Sequence, residues 1–252
     1  MNISIKKQLA YILVGVCILV LLGIIIGCDN GSGTKKDDIY DTRAIVCFGD
    51  SLTAGYGASN GQAYPDYLQK KIKSPVINAG ISGDTTIGAL ARIDKDVLAK
   101  DPQVVIIEFG ANDLWQGLTV TQIKNNLEQL IRRIDNGKRK IYIANWVPDN
   151  AITADFLTAL NILRFANGVP ALSMADLTGI ASDFKSALIA LTATANVELV
   201  ENIFEGIYGK SSLMSDPIHP NARGYELMAD KYFNAIKPYL QANNLLKSTT
   251  SP

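Results

Sequence analysis

From residue 43 onward, short unbroken apolar runs alternate with longer segments whose apolar positions recur every three or four residues. Residues 43–48, 104–109 and 141–147 are runs of the first kind, and residues 75–78 and 197–200 are shorter ones. Such runs are too short for helices. They also lack the in–out alternation of a strand with one wet face, so they predict strands buried on both sides. The run "VVIIEF" at 104–109 is interrupted only by Glu108, a position that calls for a cationic partner. Residues 63–72, 84–100, 119–135 and 222–240 are of the second kind, and predict amphipathic helices. In 84–100 the apolar face is Ile87, Leu90, Ala91, Val97 and Leu98; in 119–135 it is Ile123, Leu127, Leu130, Ile131 and Ile134. Asp84 and Thr85 suit a helix start, Gly137 suits a stop, and Pro220 and Pro238 stand near the two ends of the last helix.

This strand–helix alternation predicts an α/β domain over residues 43–242, followed by a tail at 243–252. Its expected architecture is a three-layer αβα sandwich around a doubly wound, parallel five-stranded sheet. In open sheets of this kind ligands bind beyond the carboxyl ends of the strands. Residues 148–196, between the fourth and fifth strands, are longer than such a connection needs. They carry two helical patterns around Val169-Pro170-Ala171-Leu172 and predict a helical insertion near that edge, walling or covering a pocket.

Upstream of the domain, Lys6 and Lys7 precede an almost unbroken apolar stretch over residues 9–27. It is long enough to span a bilayer and has the layout of a secretory signal. Ile25-Ile26-Gly27-Cys28 resembles the lipobox of bacterial lipoproteins. That resemblance implies a signal peptide at 1–27 that is removed and a Cys28 thiol that is acylated. The mature protein would then be anchored by lipid in the bacterial cell envelope, facing the periplasm or the exterior. An uncleaved membrane helix ending at Cys28 is the other reading of the same run. Residues 28–42 are polar and predict a tether.

Composition narrows the function. The 252 residues are 48% hydrophobic, enough for one sizeable core. Twenty-four basic side chains balance 24 acidic ones and no basic patch stands out, which argues against a nucleic-acid partner. The three cysteines, Cys17, Cys28 and Cys47, have neither metal-site spacing nor the look of a disulfide framework.

The segments after the predicted strands carry the chemistry. Gly49-Asp50-Ser51 follows the first, Ala79-Gly80-Ile81-Ser82-Gly83-Asp84-Thr85 the second, and Gly110-Ala111-Asn112-Asp113 the third. Asp216-Pro217-Ile218-His219-Pro220-Asn221 precedes the last helix. Together they supply a hydroxyl, an imidazole, a carboxylate and several amides, the parts needed for acyl transfer. A serine hydroxyl requires a base, and His219 is the only histidine in the chain. Asp216, three residues earlier, can hold the imidazole in one tautomer. The amides after Ser51 and around Gly83, and the Asn112 carboxamide, are candidate donors to an oxyanion. Asp50 would order the nucleophile turn, Gly80 would serve a tight turn or close packing, and Asp113 would cap a helix or hold a loop. Trp115 and Trp146 would line the pocket or fill the core.

"GDSLTAGYG", "NAGISGDTT", "GAND" and "DPIHPN", in this order, resemble the consensus blocks of the SGNH (GDSL) hydrolases. Within that family the chain is similar to bacterial acyl-CoA thioesterase I/lysophospholipase and arylesterase-type enzymes. The resemblance implies a flavodoxin-like sheet and a serine hydrolase that needs no cofactor and no metal. It implies Ser51 as nucleophile, His219 as base and Asp216 as its orienting acid. The oxyanion hole would be the Ser51 and Gly83 amides with the Asn112 side chain. Small acyl esters, thioesters or lysophospholipids are the expected substrates. O-acetylated carbohydrate or cell wall is an alternative for the same triad, and a non-catalytic binding lipoprotein is a third reading.

Overall fold

The computed structural model describes residues 41–147, 153–194 and 196–248. The signal-peptide and lipidation expectations for residues 1–27 and Cys28, and most of the tether, lie outside these residues. Five parallel strands form one sheet: β1 (Ile45–Gly49), β2 (Val76–Gly80), β3 (Val104–Glu108), β4 (Lys140–Ala144) and β5 (Val197–Val200). Their order is β2-β1-β3-β4-β5. Every residue of β1 and β3 is buried, as continuous apolar runs require of a sheet covered on both faces.

The helices form the outer layers. On one face α2 (Tyr64–Lys71) packs against the long C-terminal α8 (Ala222–Ala242). On the other, α5 (Val120–Ile134) packs between α3 (Thr86–Asp96) and α7 (Met174–Leu191). The buried stripe of α5 is Ile123, Leu127, Leu130, Ile131 and Ile134, each side chain contributing about 1.5–3 kcal/mol on burial. Thr119 starts that helix with a capping box closed by Gln122. Two short helices, α1 (Ser51–Ala54) and α4 (Ala111–Trp115), follow β1 and β3 directly. The remaining helix, α6 (Ala154–Ala166), lies against α4.

The helix expected over 84–100 is shorter. Its regular part ends at Asp96, and a 3₁₀ turn over Leu98–Lys100 leads into Asp101 with φ 41°. Pro102 explains the stop at Asp101, because the residue before a proline is pushed out of the right-handed helical region. At the other end Thr85 alone caps the helix, accepting from the Gly88 amide, while the Asp84 carboxylate is held by Arg92. Within 148–196 the two helical patterns are α6 and α7. α7 packs on α5 and β5, where a crossover between β4 and β5 belongs. α6 is therefore the part that a simple crossover does not require.

Candidate active site

The order in which strands are added to the sheet reverses between β1 and β3, and the carboxyl ends of these two strands are where doubly wound sheets open a crevice. Ser51 leaves β1 there and Asn112 leaves β3. Asp50 caps α1, its Oδ1 accepting from the Leu52 amide at 3.0 Å. Ser51 is then the first helical residue, so its own amide has no partner within the helix. The turn fits against β2 only because residue 80 is glycine. A Cβ on Gly80 would stand 2.2 Å from the Ala54 nitrogen, which resolves its role as close packing.

Asp216 and His219 share one tight turn before α8. The Asp216 Oδ1 accepts from the amides of Ile218 (2.7 Å) and His219 (2.8 Å), and Oδ2 pairs with His219 Nδ1 at 2.8 Å. The same turn is closed by the Ser215 amide donating to the His219 carbonyl at 2.9 Å. Burial opposes the charge on Asp216, but the two amides and the imidazole outweigh it and hold the carboxyl below the usual range. His219 Nε2 then lies 2.9 Å from Ser51 Oγ. Hydroxyl, imidazole and carboxylate form one continuous hydrogen-bonded line.

The oxyanion candidates surround that line. Gly83, at φ 82°, lies in a loop whose backbone suits glycine, and a Cβ there would meet nothing within 4 Å. Asn112 Nδ2 donates to Asp50 Oδ2 at 3.0 Å and to the Asp84 carbonyl at 2.9 Å. A cleft of about 330 Å³ opens over Ser51, Gly83, Asn112 and His219, with Leu163 and Asn167 on its far side. A small, largely closed apolar cavity adjoins Ser51 on the other side, walled by Trp115, Trp146, Phe156 and Phe204. Both tryptophans are buried and both also line this cavity, so the pocket and core readings hold together.

Two features near the site, Arg92 and Tyr56, were not foreseen, and a third, Asp113, caps a helix other than the one that follows it. Arg92 donates to the carbonyls of Ala79 (2.8 Å) and Gly49 (2.9 Å) and to Asp84 (2.6 Å), tying the ends of β1 and β2 to the Gly83 loop. Asp113, fully buried, accepts from the Thr86 amide and hydroxyl and so fixes the start of α3. Tyr56 lies against the His219 ring with centroids 4.6 Å apart. One expectation is corrected. Glu108 does not meet a cation: its side chain faces Asp50 and accepts from Thr53 Oγ1 at 3.1 Å. Its place at the carboxyl end of a central strand points it under the Ser51 turn, among neutral and acidic groups.

The sequence profile of the GDSL-like lipase/acylhydrolase family matches residues 47–227, from within β1 into α8. The chain belongs to this family. As a GDSL-like acylhydrolase it is a serine hydrolase of ester bonds. Among bacterial relatives, esterase TesA of Pseudomonas aeruginosa is 26% identical over 205 residues, covering 79% of this chain and 90% of that protein. The thioesterase 1/protease 1/lysophospholipase L1 of Escherichia coli is 28% identical over 197 residues, covering 77% and 83%. A similar solved structure is that of the psychrotrophic esterase EstA from Pseudoalteromonas sp., inhibited by monoethylphosphonate. It superposes with a TM-score of 0.61 at 27% identity, covering 79% of this chain and 99% of that one. The GDSL-like domain accounts for the sheet, both short helices and the turn bearing His219.

Proposed function

We propose that this GDSL-like hydrolase cleaves small acyl esters, thioesters or lysophospholipids through an acyl-Ser51 intermediate. The observation that carries the reading is the unbroken Ser51–His219–Asp216 line, with distances of 2.9 and 2.8 Å. Ser51 Oγ attacks the acyl carbon while His219 Nε2 takes its proton. Ionised Asp216 holds Nδ1–H and stabilises the imidazolium. The Ser51 and Gly83 amides and one N–H of Asn112 receive the oxyanion, the last by sharing its bond to the Asp84 carbonyl. Collapse breaks the bond to the leaving alcohol or thiol, which takes the proton from His219. Water then repeats the sequence on the acyl-enzyme, releasing the acid and restoring Ser51.

The relatives named esterase, thioesterase and lysophospholipase support the substrate class. The apolar cavity beside Ser51 supports an acyl binding role, with Phe156 of α6 in its wall, while Leu163 of the same helix lines the open cleft. Ser51→Ala tests the mechanism. It should abolish both p-nitrophenyl ester turnover and fluorophosphonate labelling, leaving the circular dichroism unchanged; turnover equal to the parent protein's would refute it.

We also propose that the domain is tethered to a bacterial membrane by acylation of Cys28. The support is the Gly27-Cys28 pair at the end of the apolar segment, followed by polar residues. Among the described residues no helix is long and apolar enough to cross a membrane. The mass of the membrane-extracted protein should correspond to a chain beginning at acylated Cys28. Retention of residues 1–27 would overturn the assignment.

A further inference from the structure

Glu108 is fully buried in the middle of the sheet, in register with Gly49, one residue before the Asp50-Ser51 turn. One of its oxygens accepts from Thr53; the other, Oε1, meets no hydrogen-bond donor. Its carboxyl and that of Asp50 face each other at hydrogen-bonding range. Two adjacent carboxylates in a dry interior do not both stay charged. The geometry shows where the remaining proton belongs. Both oxygens of Asp50 already accept, from the Leu52 amide and from Asn112, so Asp50 is the acceptor. The oxygen without a donor is on Glu108, and a proton there turns an unsatisfied acceptor into a satisfied donor.

We propose that Glu108 is a positioning residue that, as a neutral acid, donates a hydrogen bond to Asp50 and thereby fixes the Ser51 turn and the plane of the Asn112 carboxamide. The carboxamide is planar, so holding one N–H on Asp50 sets the direction of the other, which donates to the Asp84 carbonyl and is the one an oxyanion would share. Asp50 also caps α1 and so carries the Ser51 amide. One buried proton thus bears on two of the three oxyanion donors. The inference rests on the catalytic reading of Ser51, which the Ser51→Ala probe experiment tests separately.

The surroundings favour the proton. Burial pushes the carboxyl of Glu108 well above its ordinary range, with the Asp50 charge adding to the effect. Burial likewise raises Asp50, to about 7, against the opposing bonds from the Leu52 amide and Glu108. Of the other ionisable groups around the pair, Asp84 and Asp113 add negative charge from the loop after β2 and from α4. Tyr64 from α2, Tyr225 and Tyr232 from α8, and Cys47 of β1 are neutral hydroxyls and a neutral thiol, all raised by burial. Arg92 spends its guanidinium on Gly49, Ala79, Asp84 and Asp96 instead.

The test compares Glu108→Gln, which keeps a neutral donor and an acceptor, with Glu108→Leu, which keeps only bulk. Glu108→Leu should lower kcat by roughly 30-fold with KM within threefold, less than the 10²–10³ of removing an oxyanion donor outright. In an Asn112→Ala background the same change should cost several-fold less, about fivefold, because one of the two groups being positioned is gone. Glu108→Gln should retain at least about a third of kcat. A full loss of kcat in Glu108→Gln, parent-like kcat in Glu108→Leu, or an equal loss in both backgrounds overturns the proposal.

A stability readout decides the matter even if Glu108→Leu does not fold. A carboxyl raised in the folded state binds more protons there than in the unfolded chain. Its contribution is therefore full below its ordinary value and lost as pH rises toward the folded one. Relative to the parent, the Tm of Glu108→Gln should climb by about 4 °C between pH 5 and pH 8. A difference that does not change with pH overturns the neutral acid.

Discussion

The turn carrying Ser51 is held by several buried bonds, whereas α6, on the facing wall of the cleft, is held by few. The serine turn is capped by Asp50, clamped by Arg92 through the Gly49 carbonyl and packed against β2 without a side chain between them. α6 is tied down by Arg164, which donates to the Leu114 and Pro170 carbonyls, and by Asn161, which exchanges two bonds with Leu172. It buries Phe156 and Leu160 but leaves Ile162 and Phe165 exposed, the latter at 85%. The difference separates two tasks. Bond-making needs donors and acceptors fixed to a fraction of an ångström, and buried hydrogen bonds between strand ends supply that. On the proposed function, admitting an acyl chain needs apolar area, and α6 would supply part of it.

The sharpest break is on the fixed side. Asp216→Asn should lower kcat by about 10⁴-fold on p-nitrophenyl acetate, since the amide can favour the wrong imidazole tautomer. A loss below tenfold would mean that the Asp216 bond to Nδ1 is not what orients His219. On the adjustable side the effect should be smaller and of another kind. Phe156→Ala enlarges the cavity beside Ser51. The ratio of kcat/KM for long over short acyl esters should rise about tenfold, the worth of roughly 1.4 kcal/mol. An unchanged ratio would place the acyl chain elsewhere, in the open cleft past Gly83. The stability cost of this truncation is about 3 kcal/mol, as for other buried aromatics. It can be read from chemical denaturation and kept apart from the specificity change.

The sequence made the sheet and the Asp216–His219 turn legible for the same reason: both are written in contiguous residues. Apolar runs mark β1, β3 and β4 because these strands are buried on both faces. Asp216 and His219 lie three residues apart in one turn, and a lone histidine leaves a serine hydrolase no other base. What escaped depends on contacts between distant segments. Arg92 looks like an ordinary residue of an amphipathic helix, yet it joins the ends of β1 and β2 to the loop after β2. Glu108 looked like half of an ion pair because nothing local indicates that Asp50 lies across from it. Asp113 was read as a cap or loop anchor, and its partner Thr86 is 27 residues away. A stop before Pro102 was legible in principle, but the earlier end at Asp96 was not, because the apolar positions Val97 and Leu98 continue the helical pattern.

The turn carrying Asp216 and His219 has a consequence for how activity and folding are coupled. Base and acid are assembled locally, with a sequence separation of three, so forming their bond closes only a short loop. The bond from His219 to Ser51 spans 168 residues. It exists only when α8 and the turn before it have docked on the rest of the sheet, with Tyr225 donating to the Tyr56 carbonyl at 2.8 Å as a neighbouring latch. The proposed catalytic line therefore has a single long-range joint, between an early-made turn and one made 168 residues later. During synthesis at the ribosome Ser51 emerges long before His219. On the proposed mechanism the serine stays unactivated until α8 is out and seated.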